Sequence, residues 1–117
     1  MLVSRECVVT LSITPADGGE PTTRELGGFR EVWRKGVSIG RDGWCDVSLP
    51  GLAPVAAIVL AASNHKLLYL PGSPGFAEAF GHAGGQIPEY DARIDYSVFV
   101  LGPYRLQFGE RYAGQGR

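Results

Sequence analysis

Residues 36–40 read Gly-Val-Ser-Ile-Gly, the G-x-S-x-G spacing that presents a serine nucleophile at a sharp turn. Hydrolysis at Ser38 is therefore the first chemistry to weigh. Such an elbow needs a strand, a turn and then a helix in a large α/β fold, with an acid and a histidine downstream. Here Val37 and Ile39 alternate around Ser38 as in a half-buried strand, which runs into the polar Arg41-Asp42-Gly43 turn and then another strand. His65 and His82 fall in loop-like sequence with no cysteine beside either, so neither a Cys–His pair nor a zinc-ligand spacing is present. Cys7 and Cys45 lie in apolar segments, as buried reduced thiols do. Asp91 and Asp95 read as part of a charged connection, and Gly84-Gly85 follows no phosphate-binding strand-to-helix pattern. The chain is read as non-enzymatic, with no cofactor and no metal site.

A chain of 117 residues fits one domain, 1–117, with its core at about 5–110. With 20% charged and 44% hydrophobic residues and a formal net charge of −1, it has the composition of an ordinary globular protein. Eleven basic and twelve acidic residues are interspersed, which argues against a nucleic-acid partner. Arg5 and Glu6 precede only a short apolar run, unlike a secretory signal, and Val55 to Ala62 is far short of a membrane span. A cytoplasmic protein without direct membrane insertion is expected.

The elements that must position any site are strands. Cys7 to Thr14 is rich in Val, Ile and Thr and stops at Pro-Ala-Asp-Gly-Gly. Residues 15–28, with two Gly-Gly pairs, are expected to be mostly loop, and Phe29 to Lys35 a second strand. Cys45 to Leu49 alternates and ends at Pro50-Gly51. Val55 to Ala62 and Leu67 to Leu70 form a hairpin about a four-residue turn, Ser-Asn-His-Lys. Residues 71–90 are Gly/Pro-rich, with one helical turn at Phe76 to Phe80. Ser97 to Leu101 and Tyr104 to Phe108 close the chain, giving an all-β sandwich of two mostly antiparallel sheets.

The stretch Ser-Ile-Gly-Arg-Asp-Gly-Trp-Cys-Asp-Val-Ser-Leu-Pro-Gly (38–51) and the ending Val98 to Glu110 resemble the forkhead-associated (FHA) domain family. The resemblance implies a β-sandwich whose loops at one end grip a phosphothreonine peptide through an arginine, a serine, a histidine three residues on, and an asparagine in a later Asn-Gly loop. Gly40-Arg41 matches the Gly-Arg motif, which makes Arg41 the candidate phosphate contact. The serine position falls on Ala53, the histidine position on Ala56, and no Asn-Gly occurs; Ser63 and His65 come too late and in the wrong order. Alanine has no side-chain donor, and losing two charge-assisted hydrogen bonds of roughly 1.5–3 kcal/mol each weakens binding by at least about a hundredfold. Arg41 also has a structural reading, pairing with Asp42 or Asp46 to hold its loop.

Both faces of Val55 to Ala62 are apolar, so the strand needs a cover on each side. Either residues 71–86 with Phe76 and Phe80 supply it, or another protein does. The run Leu-Ala-Pro-Val-Ala-Ala-Ile-Val-Leu is similar to the FHA-like cytoplasmic domains of type III secretion inner-ring proteins, which implies a docking or ring-assembly role. The expected function is a protein–protein interaction or assembly module, independent of phosphothreonine and open to self-association. The alternatives are a phosphothreonine reader using Arg41 and a ring-assembly domain of a secretion system. Candidate interaction residues are Arg41, Gly51, Leu52, Ala53, Pro54, Val55, Ala56, Ile58 and Leu60.

Overall fold

A computed structural model describes residues 7–82 and 85–112. The amino-terminal stretch with Arg5 and Glu6, and Gly84 of the Gly-Gly pair, lie outside the described residues. The elements are β1 (Cys7–Pro15), β2 (Thr22–Gly28), α1 (Phe29–Lys35), β3 (Val37–Gly40), β4 (Val47–Ser48), β5 (Ala57–Ala62), β6 (His65–Tyr69), α2 (Phe76–Ala79), β7 (Ala92–Arg93), β8 (Phe99–Leu101) and β9 (Tyr104–Tyr112). They build two sheets, ordered β2-β1-β9-β8 and β4-β3-β5-β6-β7, antiparallel except where β4 runs parallel to β3.

Alternation along β1 and β9 sends Val9, Leu11, Ile13, Leu106 and Phe108 inward, where they meet Val37, Ile39, Ala57 and Val59 of the other sheet. The opposite face of β5 and β6 carries Ile58, Leu60, Leu67 and Tyr69. These residues form a second core, closed by Phe76 and Ala79 from α2 and by Ile87. The Tyr69 hydroxyl donates to the Pro88 carbonyl at 2.9 Å and fastens the covering segment. β5 is therefore apolar on both faces because both are buried within this chain. Each fully buried Ile or Leu side chain contributes roughly 1.5–3 kcal/mol, so the cover stabilises the fold as well as hiding the sheet.

Two expectations are corrected. Phe29 to Lys35 is a helix: Val32 and Trp33 are buried while Arg30, Glu31, Arg34 and Lys35 face water, a helical division that β-favouring residue types disguise. Its Glu31 in the first turn and Arg34 and Lys35 in the last complement the helix dipole. Gly36 ends it with φ 89°, and a Cβ there would stand 2.6 Å from Leu60 Cδ2. Residues 15–28 are not mostly loop, because Thr22–Gly28 pairs with β1 as an exposed edge strand. With little to bury, it carries no apolar alternation to read. Smaller differences follow the same physics. The β5–β6 turn is only Ser63-Asn64, with Ser63 at φ 57°, and the expected strand at 45–49 shortens to Val47–Ser48.

Candidate functional site

The carboxyl end of β3 enters a turn bound edge to edge to the β4–β5 connection. Arg41 N–H donates to Ala53 O at 2.8 Å, Asp42 N–H to Pro54 O at 3.1 Å, and Ala56 N–H to Ile39 O at 2.7 Å. Gly40 permits this approach, since a Cβ on it would lie 2.2 Å from Pro54 O and 2.8 Å from Val55 Cα. Ser48 Oγ donates to Arg41 O at 3.0 Å, and the Tyr104 hydroxyl donates to Pro50 O at 2.6 Å. Leu52 plugs the inter-sheet core beneath, while Gly51, Ala53 and Pro54 are exposed and Val55 and Ala56 half-buried.

The structure thus brings Arg41, Gly51, Ala53, Pro54, Val55 and Ala56 to one end of the sandwich. Ile58 and Leu60 are not among them. At 6% and 3% exposure they lie in the second core, so neither is open to a partner. Ser63 and His65 occupy the opposite end, where His65 faces Asp95 at 3.6 Å, and they cannot stand in for the groups replaced by Ala53 and Ala56.

Arg41 does not pair with Asp42 or Asp46. Its side chain is exposed and has no hydrogen-bond or ionic partner among the described residues. Asp46 is held instead by Lys35 Nζ at 2.8 Å and by the Ser38 N–H and hydroxyl at 2.9 and 3.1 Å. Partial burial acts to raise the Asp46 pKa, but the Lys35 and Ser38 hydrogen bonds and the Lys35 charge outweigh it and hold the carboxyl below its ordinary 3.8. Asp42 accepts the Trp44 indole N–H at 3.2 Å. Cys45 is buried, and desolvation followed by the charge of Asp42 pushes its thiol up, away from a reactive thiolate.

Ser38, Asp46 and His82 line one groove, the residue types of a hydrolytic triad. Their bonding is wrong for one. Ser38 Oγ donates directly to Asp46 and accepts the Asp46 N–H at 2.9 Å, so no histidine lies between hydroxyl and acid. Ser38 also sits within β3, and the chain after it turns into β4 rather than into a helix.

The far end of the sandwich carries a cluster that the sequence reading did not single out. Lys66 is 3% exposed; its Nζ donates to the Tyr96 hydroxyl at 3.0 Å, and that hydroxyl donates to Glu110. The ammonium lies 4.4 Å from the Tyr96 ring centroid, 5.4 Å from that of Trp33 and 5.5 Å from that of Phe29. Desolvation, then the hydrogen bond to Glu110 and its charge, raise the Tyr96 pKa far above the usual tyrosine range.

No family model and no curated protein sequence matches the chain. A solved structure from a structural and functional analysis of phosphothreonine-dependent FHA domain interactions is similar to 86% of this chain and 94% of its own, with a TM-score of 0.53 and 19% identity. The fold is an FHA-like β-sandwich. In this sandwich the Gly40-Arg41 turn and the Ala53-Pro54 strip are neighbouring, hydrogen-bonded loops at one end. No helix among the described residues is long and apolar enough to cross a membrane.

Proposed function

We propose that the protein is a non-enzymatic interaction module, engaging a protein partner through the Arg41 end of the sandwich without a requirement for phosphothreonine. The observation that carries this reading is the composition of the strip bonded to the Arg41 turn. Ala53 offers a methyl group, and its carbonyl is already engaged by the Arg41 N–H. A phosphate dianion gives up its hydration only to several convergent donors, and one guanidinium, beside a Ser48 hydroxyl that already donates to Arg41 O, falls short of that.

One observation favours a second reading. The Arg41 guanidinium is solvated and without an internal partner among the described residues, as a phosphate contact would be. Calorimetric titration with a degenerate phosphothreonine library and its unphosphorylated counterpart separates the two. The proposed module ignores the phosphate, whereas saturation at low micromolar phosphopeptide, abolished by Arg41→Ala, restores phosphothreonine reading. Light scattering on the same sample tests whether the partner is a second copy of the chain.

A further inference from the structure

Beside the Arg41 turn, Trp44, Phe80, Lys35, Ser38, Asp46 and His82 line a groove of about 340 Å3. Trp44 is 57% exposed and Phe80 45%, and their rings meet edge to face with centroids 5.4 Å apart. Neither wall hangs free. The Trp44 indole is tied to Asp42 at 3.2 Å, in a turn closed by Cys45 N–H donating to Asp42 O at 3.1 Å. Phe80 follows directly on α2, where its N–H donates to Phe76 O at 3.0 Å. Aromatic side chains fixed before binding make strong anchors, because little conformational freedom remains to be lost when a partner arrives.

The charges around the groove are unevenly used. Asp46 is occupied by Lys35 and Ser38, and Asp42 by the indole, whereas Arg41 on the same turn has no partner among the described residues. Three residues of extended chain span at most about 10 Å, so Arg41 and Trp44 lie within reach of one short peptide. A lone guanidinium suits a carboxylate, which it grips in bidentate fashion, better than a phosphate dianion that needs further donors.

We infer that the groove docks a short extended segment of a protein partner, one bulky apolar side chain packed against the exposed surface of the joined Trp44 and Phe80 rings and a nearby carboxylate paired with Arg41. This rests on the interaction-module reading and names the chemistry of its partner. The test is a tryptophan-free library of nonapeptides, each with one glutamate and one leucine or phenylalanine at varied spacing, titrated while tryptophan emission is followed. Trp33 is 9% exposed, so a blue shift on binding reports burial of Trp44.

Saturable binding with that shift is expected, weakened about thirtyfold by Trp44→Ala and about tenfold by Arg41→Ala. Glutamate-to-glutamine substitution in the peptide should match Arg41→Ala and add nothing to it. The Arg41→Ala melt should overlay the parent, whereas Trp44→Ala, which also gives up the Phe80 contact and the bond to Asp42, should stay folded with a modestly lower Tm. Failure of every peptide to bind at millimolar concentration overturns the assignment. So does binding by a peptide or protein partner that depends on Arg41 but is indifferent to Trp44→Ala, a result that leaves the interaction module standing. Binding that requires phosphothreonine and ignores glutamate removes both.

Discussion

Lys66 and Arg41 stand at opposite ends of one sandwich, the first 3% exposed and ringed by Phe29, Trp33 and Tyr96, the second solvated and unpaired among the described residues. A buried ammonium must recover its lost hydration from fixed groups, and the Tyr96 hydroxyl, three ring faces and Glu110 beyond supply them. That end is committed to holding the two sheets together. At the loop end no comparable demand exists, so the Arg41 charge is kept in water and remains available to something outside the chain. The contrast separates a cation enclosed by the fold from one that the fold leaves in water.

Stability measurements can break that contrast. Lys66→Ala empties the ring cage and leaves the Tyr96 hydroxyl without its donor, and should cost about 3 kcal/mol by urea denaturation. A loss no larger than that of Arg41→Ala would erase the distinction. Tyr96→Phe should cost about 1–2 kcal/mol, since Lys66 keeps the ring but loses its acceptor and Glu110 loses its donor. Its pH dependence sharpens the point. Because the folded state holds the Tyr96 proton where the unfolded chain releases it near 10.0, this contribution is complete below that pH and fades as pH rises past it. The phenylalanine variant should lose that alkaline decline.

At the loop end the effects shrink. The Asp46 carboxyl is held below 3.8, so its contribution is present at neutral pH and disappears as acid protonates it below that value. Lys35 is largely exposed, so Asp46→Asn should cost less than about 1 kcal/mol at pH 7 and flatten the acid limb of a pH–melting curve. Smallest of all, Arg41→Ala should leave stability within about 0.5 kcal/mol while abolishing or weakening whatever binding the loop end supports.

The sandwich was legible because its inward strands must alternate or run apolar: β1, β5, β6 and β9 are written in Val, Ile, Leu and Phe. The exposed edge strand β2 was not, since Thr-Thr-Arg-Glu-Leu-Gly-Gly has little to bury. Helix α1 was missed because a seven-residue segment with Phe, Val and Trp satisfies strand preferences while its burial follows the helical face. At the site, Gly40-Arg41 could be read locally, but Trp44 and Phe80 come from separate loops and meet only through folding. The Arg41–Asp46 pairing looked plausible in sequence until α1 delivered Lys35 to Asp46. A helix misread as a strand thus carried its error into the charge pattern of the site.

β5 has a further consequence for how the molecule opens. It is the middle strand of its sheet, between β3 and β6, and one face belongs to each core. Loosening the α2 cover alone strips one face but breaks none of its ladder hydrogen bonds. The amides of β5 should therefore exchange with deuterium only through global unfolding, while those of α2 exchange through a cheaper local opening. The middle strand shared by the two cores would then be the last part of the fold to open.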